Sequence, residues 1–248
     1  MPISIETCAA MHQGDRAEQQ DRVSIFPHPT KPGCLLAVLA DGMGGHSGGA
    51  IAAEQVMLKA RQNFAAYIPS AEAPTDFLQS VIDEAHVVIK LTRFTSEQDP
   101  HSTAVAFVLR PGHADWAHCG DSRIYHFRHG RTVKRSQDHS LVGELIRAGR
   151  ITEEQSLTHP QRNLLLSCLG AEREPRVEYG GTPALEAGDA FLLCSDGLWA
   201  YFDDGELGRT LNDLDARAAA RVLINAARER AQGQGDNLSL AIIKVVPA

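Results

Sequence analysis

No lysine follows the glycine-rich run Asp41–Ala50, DGMGGHSGGA, until Lys59. A phosphate-cradling P-loop ends in Gly-Lys-Ser/Thr, so this run is not one, although it follows the apolar stretch CLLAVLA as a P-loop would. None of the five cysteines has an arginine six positions later; Cys168 has Arg173 five later, one residue short. That excludes the Cys-x5-Arg loop of a cysteine phosphatase. No CxxC pair occurs either, which removes the usual zinc and dithiol patterns. Cys8, Cys34, Cys119, Cys168 and Cys194 are scattered, mostly in apolar runs, and are read as reduced core residues of a cytosolic protein. Basic residues are in deficit, with 24 Lys and Arg against 31 Asp and Glu, a formal net charge of -7. A nucleic-acid partner, which wants Lys/Arg stripes, is therefore not expected. No segment approaches the ~20 apolar residues of a membrane span. Met1–Ala10 lacks a basic start and a long apolar run, so no secretory signal is expected and the protein is read as cytoplasmic.

What is present has a regular punctuation. Strands are predicted over 22–27, 34–40, 102–110, 114–119, 123–128, 191–195 and 238–246. PGH (111–113) and RHGR (128–131) are hairpin turns, which makes their flanking strands antiparallel. Helical patterns cover about 49–67 and 74–95, and another covers 215–232; Pro74 and Asp76 suit a helix start. With no repeat and no low-complexity linker, a single domain over residues 1–248 is expected. Strand clusters alternating with helix pairs predict antiparallel sheets packed together with helices outside, an α+β fold. The segment 138–163, with a capping box at Thr152-x-x-Gln155, is a long excursion between strand regions and is read as a flap-like insert.

Aspartates recur at the predicted strand ends. Asp41, Asp121 and Asp196 follow strands, whereas Asp21 and Asp236 precede them. One Asp beside a glycine is usually a turn residue. Five of them change the argument if antiparallel strands bring the ends together. At ~4 Å and an effective dielectric near 20, each like-charged pair costs about 4 kcal/mol. A few such pairs would consume a folding stability of roughly 5–15 kcal/mol. Either the aspartates are dispersed or cations hold them, and oxygen-only ligands select Mg²⁺, Mn²⁺ or Ca²⁺.

In order, GDRAEQQD (14–21), DGMGGH (41–46), HSTA (101–104), CGDSR (119–123), QDHSL (137–141), THP-x-RN (158–163), CLG (168–170), CSDGLW (194–199) and GDN (235–237) resemble the metal-dependent serine/threonine protein phosphatases of type 2C, in their compact bacterial form. The resemblance covers nearly the whole chain. It implies a four-layer α-β-β-α sandwich, two antiparallel sheets flanked by helix pairs, with a binuclear Mn²⁺ or Mg²⁺ centre at one end. By the same match Asp41 bridges both ions, the carbonyl of Gly42 binds one, and Asp196 and Asp236 bind the other. Asp121, with Asp196, helps to hold a third, weaker ion. Asp21 hydrogen-bonds metal waters, and Arg16 clamps the substrate phosphate. The activity implied is hydrolysis of phosphoserine and phosphothreonine in proteins by a metal-activated water, opposite a cognate serine/threonine kinase. A monomer is expected, with no membrane association.

Three departures from the family's pattern stand out. Gln20 stands where many relatives have Glu, Gln19 where Asn is usual, and Ser167-Cys168 where Arg-Ala is common. The histidine proposed as catalytic acid in eukaryotic relatives falls at Met43, so His46 is read as a structural loop residue and His139 as a hydrogen-bonding loop anchor. The rival reading is a non-catalytic, phosphoprotein-binding regulatory domain of the same fold, whose expected sign is lost metal aspartates. A phosphatase of small metabolites is a third reading.

Overall fold

In the computed structural model, residues 3–45, 48–93 and 98–248 are described. The chain runs β1 (Ile3–His12), β2 (Arg22–Pro27), β3 (Leu35–Ala40), β4 (Gly42–Met43), α1 (Gly48–Ala66), α2 (Pro74–Thr92), β5 (His101–Ser102) and β6 (Ala104–Arg110). It continues through β7 (His113–Cys119), β8 (Arg123–Arg128), β9 (Arg131–Arg135), α3 (Leu141–Arg147), α4 (Glu153–Leu157) and β10 (Glu178–Thr182). β11 (Asp189–Cys194), α5 (Asp196–Trp199), α6 (Asp204–Asp213), α7 (Ala216–Ala231) and β12 (Leu238–Pro247) complete it.

Ten strands form two antiparallel sheets. One has the order β1-β12-β11-β8-β9 and the other β10-β7-β6-β3-β2. Their inner faces meet in a core that includes Leu39, Phe107, Trp116, Phe191 and Ile243. The outer face of the second sheet packs α1 and α2 through residues such as Val56, Phe64, Phe77 and Ile82. The outer face of the first packs α6 and α7 through Leu207, Leu211 and Leu223. The four-layer α-β-β-α sandwich is thus the observed architecture. Two hairpins follow from local chemistry. At the β8–β9 turn, His129 and Gly130 take φ of 48° and 73°, the left-handed pair that a two-residue turn between right-twisted strands needs. Pro111-Gly112 joins β6 to β7 in the same two-residue span.

Outside the segment 138–163, six elements were not read from the sequence as strands or helices: β1, β4, β9, β10, α5 and α6. The predicted strand 102–110 divides into β5 and β6, and β5 pairs instead with β4. The helix expected over 74–95 is described as far as Arg93, because residues 94–97 lie outside the described part. Within 138–163 the structure has α3, capped by Ser140, and α4, opened by the expected box: Gln155 N donates to Thr152 Oγ1 while Thr152 N donates to Gln155 Oε1. Among the described residues, no helix is long and apolar enough to cross a membrane.

Candidate metal centre

Register places the aspartates. Arg22 pairs with Ala40, Ala104 with Cys119, and Cys194 with both Arg123 and Leu240. The start of β2, the end of β3, the end of β7, the start of β8, the end of β11 and the start of β12 therefore lie at one end of the sandwich. Asp21, Asp41, Asp121, Asp196 and Asp236 are the residues at or next to those ends. Asp41, Asp121, Asp196 and Asp236 line one cavity of about 500 Å³, together with Gly42, Met43 and Arg16. Asp21 lies beneath it, fully buried.

Each carboxylate is positioned by its loop. Asp41 N donates to Thr103 Oγ1 at 3.0 Å, and Asp41 O accepts from Thr103 N at 2.9 Å and Ser102 Oγ at 3.1 Å. Asp121 O accepts from Trp199 Nε1 at 3.0 Å. Asp21 Oδ2 accepts from Ser195 Oγ at 2.7 Å, and Ser195 Oγ in turn accepts from Ser239 N. The loop 13–20 docks on the loop before β12. Gly235 N donates to Asp15 Oδ2, Asp15 N donates to Gly235 O, and Asn237 Nδ2 donates to the carbonyls of Gln13 and Glu18. That docking carries Arg16 to the cavity rim, where its Nη2 donates to Asp236 Oδ2 at 2.5 Å. Gly42 has its own reason. A Cβ there would fall 2.0 Å from the carbonyl oxygen of Gly49, so the strand end and the start of α1 touch backbone to backbone.

The electrostatics are those of an uncompensated acidic cluster. Burial, and then Asp21, Asp196, Asp121 and Asp236, hold the Asp41 carboxyl well above the usual carboxylate range. Burial, then Asp121, Asp236 and Asp21, do the same to Asp196. Burial first and Asp138 next push Asp121 up to about 7. Asp21 is pushed up to about 6 by burial, against the hydrogen bonds from Ser195 and Ser239. Either protons or cations must offset this repulsion. The residues fit cations. The donors are all oxygen, which suits hard divalent ions. The buried Asp21 Oδ1 also has no protein hydrogen-bond partner, so it is free to accept from a coordinated water.

A family model described as protein phosphatase 2C matches residues 8–238. The chain belongs to this family. A putative protein phosphatase 2C-type of Streptococcus pyogenes serotype M6 is 31% identical over 248 residues, covering 98% of this chain and 97% of that protein. The solved serine/threonine phosphatase PstP/Ppp of Mycobacterium tuberculosis superposes with a TM-score of 0.84 at 28% identity, over 98% of this chain and 99% of that one. The PstP catalytic domain solved in complex with two manganese ions gives 0.81 at 26% identity, over 99% of this chain and all of the other. Family membership and the four-layer fold thus agree with the motif order.

Sequence reasoning did not single out Asp15, Thr103, Asn163, Trp199 or Asn237. GDN and CSDGLW were visible as motifs, but a positioning role for Asn237 or Trp199 depends on contacts across more than 70 residues. His46 lies outside the described residues. His139 is where a loop anchor belongs: it is buried, its N donates to Gly120 O at 2.9 Å, and Gly120 N donates to its Nδ1 at 3.3 Å. His118, His139 and Glu178 place ligand-type atoms within 4.8 Å of one another. They do not make a second metal centre. The imidazoles are nearly parallel, with centroids 4.7 Å apart, so their nitrogens do not aim at one point. His118 Nε2 donates to Gln137 O, and His139 Nε2 carries its proton because Nδ1 accepts. Glu178 faces N–H groups, not lone pairs. The cysteines are all free, and burial pushes the thiols of Cys119 and Cys168 up to about 12 and about 11, the wrong direction for a nucleophile.

Proposed function

We infer that the acidic cavity is a binuclear Mn²⁺ or Mg²⁺ site, with a weaker third position, at which the protein hydrolyses phosphoserine and phosphothreonine in protein substrates. Asp41, Asp196 and Asp236 with the Gly42 carbonyl would hold the two ions, and Asp121 with Asp196 the third. When bound, such ions supply an activated water at neutral pH and positive charge for the phosphoryl oxygens. The chain's own residues do the rest. Asp21, fixed by Ser195, orients water from beneath through its second oxygen. Arg16 enters from the rim with Nη2 on Asp236 and its side chain 59% exposed, so its remaining N–H groups face a phosphate approaching the cavity. The glycines beside Asp41 let backbone pack against backbone at the cavity wall: a Cβ at Gly42 would fall 2.0 Å from Gly49 O and one at Gly44 2.2 Å from Asp99 O. The observation that carries this reading is the convergence of the aspartates on one oxygen-lined cavity. All four aspartates that the resemblance assigns to metal, Asp41, Asp121, Asp196 and Asp236, are present, which favours catalysis over a phosphoprotein-binding domain that has lost them. The reading pairs the enzyme with a cognate serine/threonine kinase.

The test is phosphate release from a phosphothreonine peptide in Mn²⁺, Mg²⁺, Ca²⁺ or EDTA. Turnover is expected with Mn²⁺ or Mg²⁺ and none with chelator. Asp41→Asn and Asp236→Asn are each expected to lower kcat by at least about a hundredfold, on the scale of losing one electrostatic stabiliser of the transition state. Full activity in EDTA, or unchanged turnover in both variants, would rule the reading out.

A further inference from the structure

A second cavity, of about 290 Å³, adjoins the acidic one. Arg16, Asp121, Asn163, Asp196 and Asp236 line both, so the two are one continuous space. The chemistry of the second is different. Val142 and Ile146 of α3, Leu157 of α4, and Trp199 and Tyr201 beside β11 line it. Its wall is fixed in place. Trp199 Nε1 donates to Asp121 O, and the Arg123 guanidinium lies 3.6 Å from the Trp199 ring centroid. Arg123 is itself held by two hydrogen bonds to Asp138, each 2.8 Å. Those two charges satisfy each other, and Arg162, which also lines the chamber, donates to Leu157 O at 2.9 Å. Leu157 is 40% exposed although it borders this apolar space, and α4 buries none of its residues. A further hollow of about 320 Å³ continues past Leu157, Trp199 and Tyr201, so an entering chain meets no dead end.

We propose that this chamber is a substrate-selecting subsite, which takes a large apolar side chain from a residue flanking the phosphoserine or phosphothreonine. The proposal rests on the phosphatase reading above, since it needs the phosphoresidue at the acidic cavity. An extended chain advances about 3.3 Å per residue, so a side chain one or two residues away reaches an adjoining chamber. Apolar occupancy follows from the side chains of Val142, Ile146, Leu157, Trp199 and Tyr201 in the lining; a preference for Asp over Phe and Leu would instead assign the chamber to the Arg162 guanidinium and overturn the proposal. Such a contact is made equally in ground and transition states, so it appears in KM and leaves kcat little changed.

The experiment uses the full chain with Mn²⁺ and phosphothreonine peptides that carry Phe, Leu, Gly or Asp at each of the two positions on either side. At one position Phe or Leu is expected to raise kcat/KM roughly tenfold over Gly, through KM, as filling an apolar pocket does. Leu157→Ala should shrink that ratio, and Leu157→Glu should bring it close to one. Both variants change an exposed residue, which spares folding, and the ratio is taken within each variant, whatever activity remains. Leu91→Glu, at a still more exposed leucine on α2 outside the chamber, should keep the ratio. Turnover with no preference at any position, or a preference that survives Leu157→Glu, overturns the subsite alone. No turnover of any peptide overturns the phosphatase reading and the subsite with it.

Discussion

Asp121 keeps its proton up to about pH 7 in the folded, metal-free protein, because burial and then Asp138 disfavour its charge. In the unfolded chain the same carboxyl titrates near ~3.9. Below about pH 4 it is protonated in both states and has no effect on stability. Between about 4 and 7 the unfolded chain releases the proton and the folded protein retains it, so stability falls as pH rises; above about 7 the loss is complete. An asparagine at this position has nothing to titrate. In EDTA the melting temperature of Asp121→Asn should therefore exceed that of the wild type by a margin that grows from pH 4 to 7 and then stays level. The margin, measured by calorimetry across that range, reports Asp121 together with the relief of Asp41 and Asp196, whose ionisation its charge opposes. Buried His139, pushed down to about 3 by burial and then His118, adds an opposite slope to both proteins and cancels in the difference. A margin independent of pH would show that Asp121 is not in a charge-disfavouring site.

The joint between β8 and the segment 138–163 is one buried ion pair. Arg123 and Asp138 have side chains only 12% and 9% exposed, and Arg147 of α3 donates to Asp138 O at 3.1 Å. Removing one partner strands the other charge away from water. Asp138→Ala should lower the unfolding free energy by about 3–5 kcal/mol in urea titrations. Glu54→Ala, which breaks the exposed pair with Arg22, should cost no more than about 1 kcal/mol. Equal losses would mean that the Arg123–Asp138 pair is no more than a surface contact. The same scale shows what a sequence conceals. Strands such as β3 and β6 were legible because apolar residues fill them almost end to end. β1 was not: it is an edge strand of partly polar alternation, and only its pairing with β12 defines it. β10, EYGGT, has two glycines that read as a turn. Yet a Cβ at Gly180 would fall 2.3 Å from the Trp116 indole nitrogen, so that glycine makes room for a ring on the neighbouring strand. Gly208 likewise lets α6 touch the Gly130 carbonyl, where a Cβ would lie 2.2 Å away. Glycine in these elements answers to a distant partner, which local pattern does not contain.

At the scale of the molecule, the aspartates were visible as strand-end residues, but their meeting depends on two sheets facing each other. Asp41 ends β3 of one sheet, and Asp196 and Asp236 flank β11 and β12 of the other; Asp121 sits where the chain crosses between sheets, from β7 to β8. The cluster is thus a repulsive seam at one end of the sandwich, in a chain already carrying a net charge of -7. The unfolded chain scatters these carboxylates and binds divalent ions weakly, so binding to the folded state must add stability by mass action. At a hundred times Kd, each site contributes about 2.7 kcal/mol. For a chain of this size that is a rise of roughly 5–10 °C in melting temperature. Mn²⁺ in excess should produce at least that shift over EDTA. Asp41→Asn should abolish most of it while raising the melting temperature in EDTA, because the substitution removes both a ligand and a source of repulsion. The two effects have opposite signs, and a general loss of structure gives neither pattern. A variant that melts lower in both conditions would mean that Asp41 serves the fold alone. No shift in the wild type would mean that protons, and not metal ions, hold the two sheets' acidic ends together.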